Sequence, residues 1–372
     1  MSSASTRKRL PIRPSLEHLR KQAKRLARLE QLHLTEAQQQ LAADYGFASW
    51  EALAANVESL RDRDESWRSD SSERLPKAAQ ANDLSLVRAI LDAGSFTQHD
   101  LDLALARAIL RFDERRAIAD LLVQRGADPD GQYGADYGPI VFVTGEALIP
   151  DALQFLIDHG ADVTFSPVDT KYGRHCPLSY VLGSYVRGHN AAKHRAIAIL
   201  LDHTAYVPPE VTPPVMAIHR GDAEELASLL ADAPALARQT IRDLPYGNLP
   251  LAGATLLHCA VEFGELACVD LLLDRGADIN ARADLDGGVG QTPVFHAINT
   301  IADGNFYTLE HLRARYVDRI DLDVCAMWRG QPTPVTPLEY AEQAAQPSDR
   351  GDHRPRIADE LALLRMWPNR PD

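Results

Sequence analysis

With 372 residues, 45% of them hydrophobic and 24% charged, the chain has the balance of a globular protein with apolar material for more than one core. Aromatics are only 6%, and the abundance of Leu and Ala favours packed helices over a β-sandwich. The net charge of −13 is uneven: residues 1–28 hold nine Lys/Arg against one acid, Glu17, so they carry +8 and the remainder −21, a body that repels nucleic acid and anionic lipid and favours basic partners.

In chain order, residues 1–14 read as a disordered basic tail. Residues 15–60 read as a small head of three short helices, opened by Ser15, Thr35 and Ser49 and ending near Leu29, Tyr45 and Leu60. Gly46 breaks the second. Ala42 and Gly46, four apart before a turn, also admit a helix-turn-helix, although Trp50 and Leu53 suit plain packing. The cations of residues 7–28 are expected to form a solvated face or to meet the acidic part of the chain; contact with DNA or RNA and contact with an anionic membrane surface are the alternatives. Residues 61–74 are charged and Ser-rich and read as a linker.

The most informative stretch runs from Thr255-Leu256-Leu257-His258-Cys259-Ala260 through Gly264 to Gly276-Ala277-Asp278-Ile279-Asn280. Thr255 can cap a first helix, and Gly264 permits a sharp turn. Leu266, Val269, Leu272 and Leu273 give a second helix an apolar stripe, and Gly276 suits its end. Gly126-Ala127-Asp128 and Gly160-Ala161-Asp162 recur 34 residues apart. Cys176-Pro177-Leu178, Thr212-Pro213-Pro214, Thr292-Pro293-Val294 and Thr336-Pro337-Leu338 repeat the opening, with Pro at the first helical position.

This pattern resembles the ankyrin repeat, whose period is about 33 residues. The resemblance implies an all-α solenoid of about eight helix-turn-helix units with hairpin fingers, over 75–99, 100–136, 137–174, 175–211, 212–252, 253–290, 291–334 and 335–367. Uneven spacing points to insertions at 183–190, between two helices, and at 242–253, in a finger. Only His258 occupies the family's histidine position; Ser179, Val215, Phe295 and Glu339 stand there elsewhere, with His296 one residue late. The inter-repeat bonds of that histidine are therefore expected to be mostly absent. The head, with Leu-Arg-Lys-Gln-Ala-Lys at 19–24 and Tyr45-Gly46-Phe47-Ala48-Ser49-Trp50, resembles a helical segment preceding ankyrin repeats in some bacterial proteins, which implies no function.

Motifs for catalysis are sparse. There is no phosphate loop, H-E-x-x-H or G-x-S-x-G sequence. Asp284-Leu285-Asp286-Gly287-Gly288 lacks the closing acid of a calcium loop and reads as a hairpin turn. His189, His194 and His203 have spacings that fit no helical ligand pair and read as polar surface at an insertion. Adjacent side chains such as His175 and Cys176 point apart, against a catalytic thiol. Cys176, Cys259, Cys268 and Cys325 form no C-x-x-C pair and suit buried thiols in a reducing compartment. No catalytic residue, metal ligand or cofactor is expected. No run approaches the ~18 apolar residues of a membrane helix, and Pro11 and Arg13 interrupt any apolar leader after Arg7-Lys8-Arg9, so a cytoplasmic location is expected.

The links between units carry the candidate site. Tyr133, Tyr137, Tyr172 and Tyr246 each precede a Gly, and Trp328-Arg329-Gly330 lies in another link. Equivalent links of a solenoid occupy equivalent places, so these aromatics, with Arg174 and Arg329, are expected along one edge as partner contacts; the competing reading packs each ring on its own hairpin. The function expected is an intracellular scaffold, adaptor or inhibitor that binds a protein with a basic surface. A nucleic-acid-linked regulator using residues 7–28, or an enzyme with a site built from the inserted loops, are the alternatives.

Overall fold

The computed structural model describes residues 16–45, 47–55, 57, 74–134, 137–170, 173–184, 186, 188–241, 253–283, 290–298, 306–327, 333–345 and 357–367. They divide into two compact units. One comprises residues 1–177 with 199–206, and the other 178–198 with 207–372.

The first unit begins with the head. In α1 (Leu16–Glu30), Leu16, Leu19, Ala23 and Leu26 recur every three or four residues and form one stripe. That stripe meets Leu41 and Ala42 of α2 (Leu34–Asp44) and Leu53 of the helical residues 50–55 (α3) in a small core, joined by Val57, Tyr45, Phe47 and Trp50. Ala42 and the residues after it thus serve packing. Ser49 caps α3, its hydroxyl accepting the Ala52 N–H at 3.2 Å. Thr35 does not open α2. The helix starts one residue earlier, because the Glu36 carboxylate accepts the His33 N–H at 2.9 Å and makes His33 the cap.

Three helix pairs follow in this unit: α4 (Arg74–Gln80) with α5 (Leu84–Ala93), α6 (Gln98–Ile109) with α7 (Phe112–Gln124), and α8 (Val141–Glu146) with α9 (Pro150–Asp158). First helices pack on first helices, α4 on α6 and α6 on α8, and second helices likewise, α5 on α7. The boundary expected at residue 100 falls inside α6. The true start is Thr97, whose hydroxyl and N–H form a reciprocal cap with Asp100. Two hairpin fingers project between pairs. Strands β1 (Gln132–Gly134) and β2 (Gly138–Pro139) form one, and β3 (Val168–Thr170) and β4 (Gly173–His175) the other.

Helices α10 (Pro177–Leu182) and α11 (Ala191–Asp202) flank the insertion at 183–190. The second unit continues with α12 (Pro213–His219), α13 (Ala223–Asp232), α14 (Leu256–Glu262), α15 (Leu266–Asp274), α16 (Pro293–Ala297), α17 (Phe306–Tyr316), α18 (Pro337–Ala344) and α19 (Ile357–Arg365). Its first helices stack in the order α12, α14, α16, α18. Leu257 and Leu272 are fully buried where α14 meets its neighbours. Leu266 is only half-buried, so the stripe of α15 is carried by Val269, Leu272 and Leu273. Gly264 and Gly276 both adopt positive φ, at 66° and 84°.

His258 makes the inter-unit bond expected of it. Its Nδ1 accepts the Thr255 N–H at 3.1 Å, while its Nε2–H donates to the Gln291 carbonyl at 3.1 Å. Both nitrogens are thereby committed in the neutral tautomer. Burial, helped by the neighbouring His296, pushes its pKa down to about 3. His296, one position late, instead pairs with the Glu262 carboxylate at 2.8 Å. Where Asp100 or Glu339 replaces the histidine, the helix cap survives.

Cys176, Cys259 and Cys268 are buried as expected; Cys325, in a finger, is exposed instead, since its link lies at the surface. Burial pushes the Cys259 thiol up to about 12, which keeps it protonated and inert. The Cys176 thiol donates to the Tyr206 carbonyl at 3.6 Å. Among the described residues, no helix is long and apolar enough to cross a membrane.

Candidate partner-binding surface

The fingers are built on a recurring Asp/Asn device. After Gly126, Gly160 and Gly276, each at positive φ, the chain continues Ala-Asp-x-[Asp/Asn/Thr], and the first Asp folds its carboxylate back on the N–H two residues on. Asp128 thus accepts from Asp130 at 2.9 Å, Asp162 from Thr164 at 2.8 Å and Asp278 from Asn280 at 2.9 Å. The second residue then reaches across to the next finger. Asp130 accepts the N–H of Asp162 at 2.8 Å, and Asn280 that of Asp321 at 2.9 Å. Two polar side chains per finger therefore set the spacing of successive fingers.

In the first unit this edge is gripped by α1. Lys21, Arg25 and Arg28 are spaced by four and three and share a helix face. Lys21 donates to the Asp130 carbonyl at 3.3 Å and Arg25 to the Ala161 carbonyl at 3.3 Å. Arg28 pairs with the Asp162 carboxylate at 2.9 Å and also donates to the Thr164 hydroxyl. Burial acts to raise the Asp162 carboxyl, but the hydroxyl and N–H of Thr164 and the Arg28 guanidinium outweigh it and hold it below the usual range. Between α1 and the two hairpins lies a cleft of about 380 Å³, lined by Lys21, Lys24 and Arg28 on one side and by Pro139, Phe165 and Val168 among the finger residues.

Of the aromatics expected along the edge, Tyr133 and Tyr137 are described. Both are half-buried and share one hairpin, with ring centroids 5.8 Å apart in an edge-on arrangement. Arg107 of α6 lies 5.7 Å from the Tyr133 ring centre and reaches its hydroxyl at 3.5 Å. Arg174 is exposed and tied to its own hairpin, with Asp169 at 3.4 Å and the Pro167 carbonyl at 3.2 Å. Tyr172, Tyr246, Trp328 and Arg329 lie outside the described residues, as does the turn at 284–288.

The histidines of the insertion separate. His203 lies 3.4 Å from the Gln154 amide, whereas His189 and His194 both converge on Glu265, more than 70 residues away in sequence. Spacing along the chain could not show this grouping, because Glu265 arrives by stacking of later helices.

A family model described as ankyrin repeats (3 copies) matches residues 188–283. Among solved structures, the chain is similar to the human ASB11 ankyrin repeat domain, with 18% identity over 59% of this chain and 90% of that one, at a TM-score of 0.38. None of the curated proteins matches the sequence. With the two-helix unit and the reciprocal Thr255–His258 cap in place, the match identifies residues 188–283 as ankyrin repeats.

Proposed function

We propose that this ankyrin-repeat protein is a scaffold for another protein, a cytoplasmic adaptor or inhibitor, and that its acidic finger edge takes a basic segment of the partner. The observation that carries this reading is α1 itself: the fingers of the first unit offer carbonyls and a carboxylate that three cations of one helix face engage. The fingers of the second unit are made of the same Asp/Asn device and hold Asp278 and Asp323 exposed to solvent. A basic helix or strand presented by a partner meets the same chemistry there. Carboxylates at a rim contribute mainly to encounter rate and register, so the expected binding is sensitive to charge and salt.

The same observation favours an intramolecular role for the basic head over a nucleic-acid contact, since Lys21, Arg25 and Arg28 are spent on the fingers. The test is affinity capture with the full chain as bait, beside a D278N/D323N bait that keeps the accepting oxygens and loses the charges. A protein enriched by the first and depleted on the second supports the reading. Identical captured sets on both baits contradict it.

A further inference from the structure

Away from the fingers, the inserted loop at 183–190 and the first turn of α11 bring two imidazoles onto one buried carboxylate. His189 Nδ1 lies 2.9 Å from one oxygen of Glu265, and His194 Nε2 lies 2.7 Å from the other. All three donor atoms fall within 4.8 Å of one another. The Glu265 side chain is only 4% exposed, while that of His189 is 65% exposed, so the group is closed on the protein side and open on one flank.

The backbone around it is shaped for this approach. Gly221 has φ +63°, and a Cβ there would stand 2.7 Å from Glu265 Oε2 and 2.8 Å from His194 Cε1. Gly264 has φ +66°, and its Cβ would stand 2.5 Å from the Cα of Gly188. Only glycine at both turns lets the loop lie close enough for the three side chains to converge. Two imidazoles and one carboxylate, held on separate elements, make a mixed nitrogen and oxygen donor set.

We propose that His189, His194 and Glu265 form a binding site for a divalent transition-metal ion of the zinc class. The reasons are chemical. Mixed nitrogen and oxygen donors suit zinc, cobalt or nickel and not calcium or magnesium, which take oxygen ligands. Ligand atoms around a tetrahedral ion with bonds of about 2.0–2.1 Å stand roughly 3.3 Å apart, so each nitrogen–oxygen contact must open by about half an ångström, while the widest separation among the three donor atoms, within 4.8 Å, must close. The ion would take the place of the two imidazole–carboxylate hydrogen bonds, with each ligating ring nitrogen unprotonated. Three protein ligands leave a fourth position, on the exposed His189 flank, for water. The ion fastens the inserted loop to the turn before α15.

The test uses the full chain after chelator treatment. Zn²⁺ is titrated against a chromophoric competitor, and Co²⁺ is added in parallel to read the visible bands of a tetrahedral site. The expected result is one ion per chain, tetrahedral cobalt bands and a melting temperature that rises with Zn²⁺. His189→Gln, at an exposed position that the fold tolerates, should weaken affinity at least tenfold, and the H189Q/H194Q variant at least a hundredfold, with loss of the cobalt bands. If the double variant does not fold, the single variant decides. Absence of saturable binding by the unaltered chain, or affinity unchanged in His189→Gln, overturns the proposal and leaves the group as a hydrogen-bonded His–Glu–His cluster.

Discussion

The Arg28 guanidinium stands 2.9 Å from the Asp162 carboxylate and joins the head to a finger 134 residues later in the chain. Arg28 is half-exposed, so solvent screens its side of the pair; Asp162 is buried and also holds the N–H of Thr164. Loss of the arginine and loss of the aspartate therefore have different consequences. Arg28→Ala should cost less than about 1 kcal/mol. Asp162→Ala leaves the partly buried Thr164 N–H without its acceptor and should cost about 1–2 kcal/mol. A chain beginning at residue 70 should melt below the full chain, because it loses all three cations that grip the fingers. Thermal melts of the three variants check this, and equal melting temperatures would separate the head from the repeats.

The cross-finger bond from Asp162 N–H to Asp130 can be tested by one atom. Asp130→Asn keeps an accepting oxygen, as Asn280 does at the corresponding place, and should be nearly neutral. Asp130→Ala should cost about 1–3 kcal/mol, since Asp130 is buried and the Asp162 N–H then goes unpaired. Denaturant midpoints of the two variants should differ clearly.

Leu257 and Leu272 should each cost about 2–5 kcal/mol when replaced by Ala, because both are fully buried between stacked helices. Leu266→Ala should cost less, in keeping with its half-burial. A melt in which all three lose equally would contradict the packing described for α14 and α15.

His258 gives the protein an acid-sensitive term. Its folded pKa is depressed to about 3 against 6.5 in the unfolded chain, so between those values the unfolded state binds the extra proton. Its contribution to stability is intact above about pH 6.5 and falls by up to about 1.4 kcal/mol per pH unit as the pH drops toward 3. Protonation of Nδ1 also ends the bond from the Thr255 N–H. Unfolding free energies from pH 7 to 4.5 should show this slope, and His258→Gln should flatten it.

Much of the repeat architecture is legible because it is local. Thr255, Gly264 and Gly276 announce a cap, a turn and a helix end through their own backbone preferences, and the stripe of α15 follows from spacing. The start of α2 departs from expectation because His33 with Glu36 makes a cap without a hydroxyl, and that of α6 because Thr97 is followed by Gln98 and not by proline. The pairings that join distant segments carry no local signal: Arg28 with Asp162, His296 with Glu262, and His189 and His194 with Glu265. The Asp-x-[Asp/Asn] step in the fingers is visible in sequence, yet its reach into the next finger depends on stacking. Tyr133 and Tyr137 share a hairpin as their links suggested, with Arg107 as a partner that only the packing of α6 supplies.

The central claim is that the finger edge recognises a basic partner. Its most direct measurement is the affinity of a captured partner for the full chain and for D278N/D323N across a series of salt concentrations. The account predicts an affinity that falls steadily with salt, and a variant about tenfold weaker at low salt whose deficit shrinks as salt rises. Binding that is indifferent to salt and equal for both chains would contradict it and move the contact to the helical face.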